Sequence, residues 1–283
     1  MAGGIKSFAV FGDPIAHSLS PRIHAAFSKQ TGIALSYTAI HAPAATFEDQ
    51  LATFSREDGA GANITLPLKS LVVPVCAELS DLARRIGAVN TLSRRLDHHW
   101  RGDNTDGPGL IEDLVRRHGI NLYGRRVLML GAGGAARAAA FALLETDIDS
   151  LVISNRTPER AAALADALAD AERVMTDTFA DFRNEHAFDV VIDATSAGHS
   201  GGRHKLPAHL INAKTVCYHL SYGTAARDFI ALARQAGATR VFDGLGMLVE
   251  QAAEAFAIWN GVRPQTDAIY AELRAEAPLD ATD

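Results

Sequence analysis

Six small or polar residues, Gly102-Asp103-Asn104-Thr105-Asp106-Gly107, stand together just before Leu110 to Val115, a run that reads as an amphipathic helix. Two carboxylates, an amide and a hydroxyl at such a place suit a helix cap, where side-chain oxygens accept orphan backbone N–H groups and acids favour the dipole. They suit proton transfer and polar-ligand binding equally well. Other polar clusters share this character. Gly12-Asp13-Pro14-Ile15-Ala16-His17-Ser18-Leu19-Ser20-Pro21 links the first strand-like run to the first helical one. Ser20 precedes Pro21, an ordinary first helical residue, so capping competes with ligand contact there, whereas Ser18 has no comparable local duty. In Asn63-Ile64-Thr65-Leu66-Pro67-Leu68-Lys69, alternation puts Asn63 and Thr65 on one face of a strand end, with Lys69 shortly beyond. Gly87-Ala88-Val89-Asn90-Thr91 repeats the arrangement, Asn90 opening an apolar strand.

A different chemistry is written in Gly131-Ala132-Gly133-Gly134-Ala135-Ala136, a GxGxxA pattern directly after an apolar strand and directly before a helix. Gly131 permits a tight turn, Gly133 lets backbone approach a pyrophosphate, and the helix N-terminus supplies amides and a positive dipole end. About 20 residues on, an acidic residue would hold the ribose hydroxyl of NAD. The chain instead has Ser154-Asn155-Arg156-Thr157-Pro158-Glu159-Arg160. Arg156 and Arg160 can bind a phosphate as fixed cations and Thr157 can donate a hydrogen bond, so NADP is favoured over NAD. Arg160 also fits a solvated position on the helix that starts near Pro158.

The elements that must position these groups alternate along the chain. Strand-like Phe8 to Phe11, Leu35 to Ile40 and Ala62 to Thr65 are separated by helical Pro21 to Gly32 and Thr46 to Arg56, which predicts a mostly parallel sheet. A cleaner series follows: strand Arg126 to Leu130, helix Gly134 to Glu145, strand Leu151 to Ser154, helix Pro158 to Ala169 and strand Asp189 to Asp193. This half has the Rossmann rhythm. Two helices, Leu245 to Asn260 and Thr266 to Glu276, close the chain. On the first, Leu248, Ala252, Ala255, Phe256 and Trp259 form an apolar stripe with Gln251 beside it and Met247 one turn earlier. A buried Gln251 amide needs a partner, either internal backbone or a substrate hydroxyl.

Composition agrees with two globular domains: 283 residues, 48% hydrophobic and 21% charged. A net charge of -6 gives no broad basic footprint, so nucleic acid and anionic membranes are not expected partners. The 2 cysteines, Cys76 and Cys217, lie in apolar contexts without metal-ligand spacing and read as reduced core residues; no metal is expected. Met1 to Lys6 lacks a signal core and no run approaches the roughly 18 apolar residues of a membrane span, so a cytoplasmic protein is expected.

Taken together, the motifs resemble those of the shikimate dehydrogenases, NADP-dependent enzymes that reduce 3-dehydroshikimate to shikimate in aromatic amino acid (chorismate) biosynthesis. The resemblance spans nearly the whole chain: HSLSP (His17 to Pro21), NITLPLK (Asn63 to Lys69), GAVNT (Gly87 to Thr91), GDNTDG (Gly102 to Gly107), GAGGAA (Gly131 to Ala136), NRTPER (Asn155 to Arg160), ATSAG (Ala194 to Gly198) and DGLGMLVEQAAEAF (Asp243 to Phe256). It implies an α/β fold of two domains, an N-terminal substrate domain (1–104 plus 243–283, the C-terminal helices returning to it) and a Rossmann NADP-binding domain (105–242). It implies that Ser18, Ser20, Asn63, Thr65, Asn90, Asp106, Tyr222 and Gln251 bind shikimate, with Lys69 and Asp106 as the catalytic pair. Thr195, Ser196, Leu220, Gly244 and Met247 would join Gly131 to Ala136, Asn155, Arg156, Thr157 and Arg160 on the cofactor side. Chemically, hydride delivery to a ketone leaves a developing alkoxide that needs a proton and a positive neighbour, both within the capacity of Lys69. Alternatively Lys69 only stabilises charge while water carries the proton.

Two departures from the family pattern stand out. His219 follows Val216-Cys217-Tyr218 where the family usually has Asp, and Gly223-Thr224-Ala225-Ala226-Arg227 differs from a basic, Pro-containing form. The first reads as a tolerated change of modest effect, set against one that alters cofactor affinity or pH response; the second bears on the pose of Tyr222. Quinate dehydrogenase is the nearest alternative, set against by NRTPER, and an NADP-binding sensor without turnover is set against by the retention of Lys69 and Asp106. A monomer or homodimer is expected.

Overall fold

The computed structural model describes residues 5–177, 187–195, 206 and 208–279. The chain divides into two compact units, Met1–Gly109 with Leu248–Ile269, and Leu110–Met247 with Tyr270–Asp283.

The first unit begins as the alternation predicts. Strand β1 (Lys6–Gly12) leads to α1 (Ser20–Thr31), β2 (Leu35–His41), α2 (Phe47–Arg56) and β3 (Gly59–Ile64). Pro21 in the first turn and left-handed Gly32 at the C-terminus bound α1. After β3 come the short β4 (Glu78–Leu79), α3 (Asp81–Ile86), β5 (Thr91–Arg94) and β6 (Trp100–Asp103). The sheet order is β2-β1-β3-β5-β6-β4. Strand β1 is parallel to β2 and β3, but β5 runs antiparallel to both β3 and β6. The sheet is therefore mostly parallel, as expected, with β5 as its one antiparallel strand. The cause is the connection 95–99, a hairpin closed by Arg95 N–H to His99 O (2.9 Å), too short for the crossover a parallel pair needs.

One face of this sheet is covered by Phe47, Leu51 and Phe54 of α2, packed with Phe11, Ile64, Leu68 and Leu92. On the other, α8 (Leu245–Asn260) supplies Phe256 against Phe27 of α1 and stacks Trp259 on Phe8 at 4.5 Å. The Trp259 indole N–H donates to Leu92 O at 3.0 Å, so the amphipathic ring is satisfied where it is buried.

The second unit holds a wholly parallel sheet, order β12-β11-β10-β7-β8-β9. Its strands are β7 (Arg126–Leu130), β8 (Ser150–Ser154), β9 (Val174–Asp177), β10 (Val190–Asp193), β11 (Val216–His219) and β12 (Arg240–Phe242). The helices are α4 (Asp106–Glu112), which starts in the first unit, then α5 (Gly134–Leu144), α6 (Pro158–Leu168) and α7 (Arg227–Gln235). Strands β7 to β9 wind one way and β10 to β12 the other, so the order reverses between β7 and β10, the position where such sheets take ligands. Ala136 and Ala138 to Phe141 of α5 are buried; alanine permits that close helix–sheet approach.

Two boundaries differ from expectation. The helix foreseen over Leu110 to Val115 starts earlier, as α4 at Asp106, and ends in a π turn, Asp113–Arg117. In that turn Asp113 is fully buried and accepts hydrogen bonds from Arg117 Nε (3.0 Å) and Tyr218 OH (2.7 Å). The second difference is at the C-terminus: α9 (Asp267–Glu276) begins in the first unit, but from Tyr270 onward the chain groups with the second. Arg274 pairs with Asp243, the Arg117 guanidinium sits 4.0 Å over the Tyr270 ring, and Leu279 packs on the second unit's core.

Candidate active site

Register brings the polar clusters of the first unit together. Asn63 at the end of β3 lies opposite Thr91 at the start of β5, and Thr91 lies opposite Asp103 at the end of β6. Antiparallel pairing thus sets the start of NITLPLK, the end of GAVNT and GDNTDG in one row, although 40 residues of sequence separate Asn63 from Asp103. Loop backbone is fixed by the same neighbours: Val89 N–H donates to Lys69 O (2.8 Å), and the Asn104 amide donates to Ala88 O (3.0 Å).

At the centre Lys69 Nζ donates to Asp106 Oδ2 at 2.6 Å, the side chains 19% and 5% exposed. Asp106 opens α4, where the helix dipole favours a carboxylate, and its N–H is capped by Asn104 Oδ1 at 3.1 Å. In GDNTDG, then, Asn104 caps the helix while Asp106 faces the lysine. The second Asp106 oxygen accepts from Asn90 Nδ2 at 2.8 Å. Asn90 also approaches Thr105 Oγ1 (2.9 Å) and Gln251 Oε1 (3.3 Å), while its own oxygen accepts from Thr105 N–H (2.8 Å) and Thr91 Oγ1 (2.9 Å). Such a network in a low-dielectric setting fixes each orientation tightly. Gln251 gives its Nε2 to Leu248 O at 2.9 Å, so it has internal partners on both atoms. Thr105 is central here and was not singled out from its segment; only register identifies it.

Around this pair, Asn63 is buried, its amide donating to Asn90 O and Thr91 Oγ1, both at 3.2 Å. Its oxygen accepts from Tyr37 OH at 2.7 Å. Tyr37 stacks on the fully buried His24 ring at 4.2 Å. Burial lowers His24 to a pKa of about 3, the Asn63 amide offsetting part of the effect. Burial likewise raises Tyr37 well above its ordinary value. Neither residue was marked by sequence, because His24 on α1 and Tyr37 on β2 meet each other and Asn63 only in the fold. Thr65 lies one residue past β3 and is partly exposed. The capping foreseen for Ser20 is not made: Ser18 Oγ accepts the Ser20 N–H at 3.3 Å, while Ser20 begins α1, is 5% exposed and makes no capping bond.

In the second unit, Leu130, Ser154, Asp193 and His219 stand in one register row across β7, β8, β10 and β11. Gly131, Asn155, Ala194 and Leu220 therefore leave the sheet side by side. Gly131 has φ +109°, and a Cβ there would lie 2.9 Å from Ala194 O, so only glycine fits this turn at the reversal of strand order. Gly133 precedes the first turn of α5 with no side-chain cap on its amides. Ala132, Gly134 and Ala135 are partly exposed and Ala136 is buried in the same turn. Thr195 Oγ1 is buried without a partner, although Thr195 N–H is bound by Asp193 Oδ1 at 2.8 Å. Uncapped amides at a helix N-terminus and an orphaned hydroxyl nearby fit a dinucleotide pyrophosphate. Asn155 Nδ2 holds Thr157 O at 2.9 Å, leaving Arg156 and Arg160 exposed and without an ion pair among the described residues. Ser196 lies outside the described residues. Tyr222, Gly244 and Met247 belong to this unit, the last two buried.

His219 is fully buried, Nδ1 accepting the Ser221 N–H at 2.8 Å and Nε2 lying 3.9 Å from Asp193 Oδ2. Cys76 and Cys217 are free thiols pushed up to about 12 by burial. Among the described residues no cluster of His, Cys, Asp or Glu could hold a metal, and no helix is long and apolar enough to cross a membrane.

Residues 10–92 match the model of the shikimate dehydrogenase substrate binding domain, 113–205 that of shikimate / quinate 5-dehydrogenase, and 244–274 that of the shikimate 5'-dehydrogenase C-terminal domain. A shikimate dehydrogenase (NADP(+)) of Xanthomonas euvesicatoria pv. vesicatoria is 54% identical over 99% of both chains. The chain belongs to the shikimate dehydrogenase family. Within that family, the crystal structure of shikimate dehydrogenase from Aquifex aeolicus superposes with a TM-score of 0.85 at 28% identity, covering 97% of this chain and 100% of that one. The Thermus thermophilus shikimate 5-dehydrogenase, solved in complex with NADP(H) and shikimate, gives 0.81 at 33% identity over 96% and 99%.

Proposed function

We propose that this protein interconverts 3-dehydroshikimate and shikimate with NADP(H), using Lys69 and Asp106 as its proton-transfer pair. The observation that carries the reading is the 2.6 Å contact between Lys69 and Asp106, held inside a network of buried amides and hydroxyls in a member of this family. NADPH, when bound, supplies the hydride for the ketone carbon. The protein's task is then to meet the oxygen's growing charge. Lys69 Nζ donates a proton to that oxygen; Asp106 Oδ2 holds the ammonium in place, and Asn90, by engaging Asp106 Oδ1, fixes the carboxylate plane. In the oxidative direction neutral Lys69 accepts the hydroxyl proton. The 19% exposure of Lys69 lets solvent restore or remove that proton.

Ser18, Ser20, Asn63, Thr65, Asn90, Tyr222 and Gln251 are assigned to the shikimate hydroxyls and carboxylate. Asn63 retains an acceptor lone pair beside the one Tyr37 uses, and Gln251 retains one N–H. Gly131 to Ala136 are assigned to the pyrophosphate, Asn155, Arg156, Thr157 and Arg160 to the adenosine phosphate, and Thr195, Ser196, Leu220, Gly244 and Met247 to the nicotinamide side. A cytoplasmic location and a monomeric or homodimeric state are proposed with this reading. The test is absorbance at the nicotinamide band with purified protein, comparing shikimate with quinate and NADP with NAD. Turnover confined to shikimate with NADP supports the assignment; preference for quinate with NAD contradicts it.

A further inference from the structure

Asp243 is a buried carboxylate, its side chain 3% exposed, that the chemistry above does not use. It follows β12 and directly precedes Gly244 and α8. Oδ1 accepts the Leu245 N–H, the first amide of α8, at 3.2 Å, and Oδ2 accepts the Gly223 N–H at 3.3 Å. Between these bonds Gly244 N–H donates to Ser221 O at 2.9 Å. A Cβ on Gly244 would lie 2.0 Å from Leu220 O, so the two segments meet backbone to backbone. Asp243 to Leu245 thus forms the seat of the loop Leu220 to Gly223, which carries Tyr222.

A buried carboxylate is costly unless paired. The partner is Arg274 on α9, 21% exposed at its side chain, whose Nη2 contacts Asp243 Oδ1 while Nη1 reaches Oδ2 at 3.3 Å. Two parallel bonds from a planar guanidinium fix the carboxylate's plane as well as its position, which a lysine ammonium could not do. Arg274 is itself held, by Nη1 to Ala277 O at 3.2 Å and by the Tyr270 ring 5.6 Å away.

We propose that Arg274 is a positioning residue for shikimate binding. Its grip on Asp243 fixes the Gly223 N–H and therefore the backbone from which Tyr222 projects. The inference rests on the reading of Tyr222 as a shikimate-binding residue. It also gives α9, which carries none of the site motifs, a part in substrate affinity.

A double-mutant cycle tests it, with Arg274→Gln and Tyr222→Phe made singly and together in the full chain, and Arg274→Lys as the conservative variant. Loss of one well-placed hydrogen bond predicts that Arg274→Gln raises KM for shikimate about three- to tenfold with kcat little changed. Arg274→Lys should recover part of that rise, and in the Tyr222→Phe background Arg274→Gln should add almost nothing. An effect of equal size in both backgrounds overturns the inference, as does an unchanged shikimate KM in Arg274→Gln. No effect of Tyr222→Phe itself on shikimate KM removes the underlying reading of Tyr222 instead. Should Arg274→Gln fail to fold, the cycle is run with Asp243→Asn/Arg274→Gln, which leaves no unpaired buried charge, and the same outcomes decide.

Discussion

Every polar atom of the Asn90 side chain is committed, its amide to Asp106, Thr105 and Gln251 and its oxygen to Thr105 N–H and Thr91. Asn90→Ala strands a carboxylate oxygen and a buried N–H at once, each worth about 1–3 kcal/mol. We expect a lower Tm together with a kcat/KM reduced by about two orders of magnitude, measured by thermal melts and the shikimate assay. Tyr37→Phe is milder: it removes the hydroxyl's bond to Asn63 Oδ1 and its hydrogen bond with Ser20, while Asn63 keeps its bonds to Asn90 and Thr91. It should raise shikimate KM about three- to tenfold with the NADP KM unchanged. Arg156→Ala should do the reverse, raising KM for NADP about tenfold or more through loss of a charged hydrogen bond while sparing KM for shikimate. The chemistry-bearing types Lys69, Asp106, Asn63 and Asn90 were legible in the sequence because polar residues clustered beside strand ends have few structural uses. Tyr37, His24, Thr105 and Arg274 were not, since each acts through a neighbour that only folding supplies.

At the scale of elements, the two sheets differ in how far periodicity revealed them. Apolar runs separated by helical patterns gave β1 to β3 and β7 to β8 within a few residues. Strand β5 was foreseen as the apolar strand opened by Asn90, but β6 escaped because Arg101 and Asp103 make it too polar for an apolar run, and the hairpin between them gives the sheet its antiparallel strand. That antiparallel step is what sets Asn63, Thr91 and Asp103 in a row. In the parallel sheet His219 ends β11 next to Asp193 of β10, with Nε2 3.9 Å from its carboxylate. The modest effect expected of His219→Asp is therefore revised: it would set a second buried carboxylate against Asp193. We predict a loss of roughly 3 kcal/mol or more of stability, read by denaturant unfolding. A wild-type midpoint would show that the imidazole contributes nothing to that pair.

For the whole molecule, His24 links fold to acidity. Its folded pKa of about 3 lies below the unfolded value of 6.5, so between these limits the unfolded chain binds a proton that the folded one does not. Stability is complete above pH 6.5 and declines as pH falls, by about 2 kcal/mol at pH 5 from this group alone. Tm should drop on acidification from pH 7 to pH 5, and His24→Phe should drop less. An equal drop in that variant would assign the acid sensitivity elsewhere. The two-domain α/β plan was legible at this scale from the alternation and the glycine fingerprint. The grouping of Tyr270 onward with the second unit was not, because it depends on Arg274 finding Asp243 and Leu279 finding a core distant in sequence. The central claim is that Lys69 transfers a proton rather than merely holding substrate. Turnover of Lys69→Ala, measured beside its shikimate affinity by calorimetry, tests it most directly. The account predicts kcat lower by about 10²–10⁴-fold with Kd for shikimate changed only severalfold; turnover retained within tenfold of the parent would contradict it.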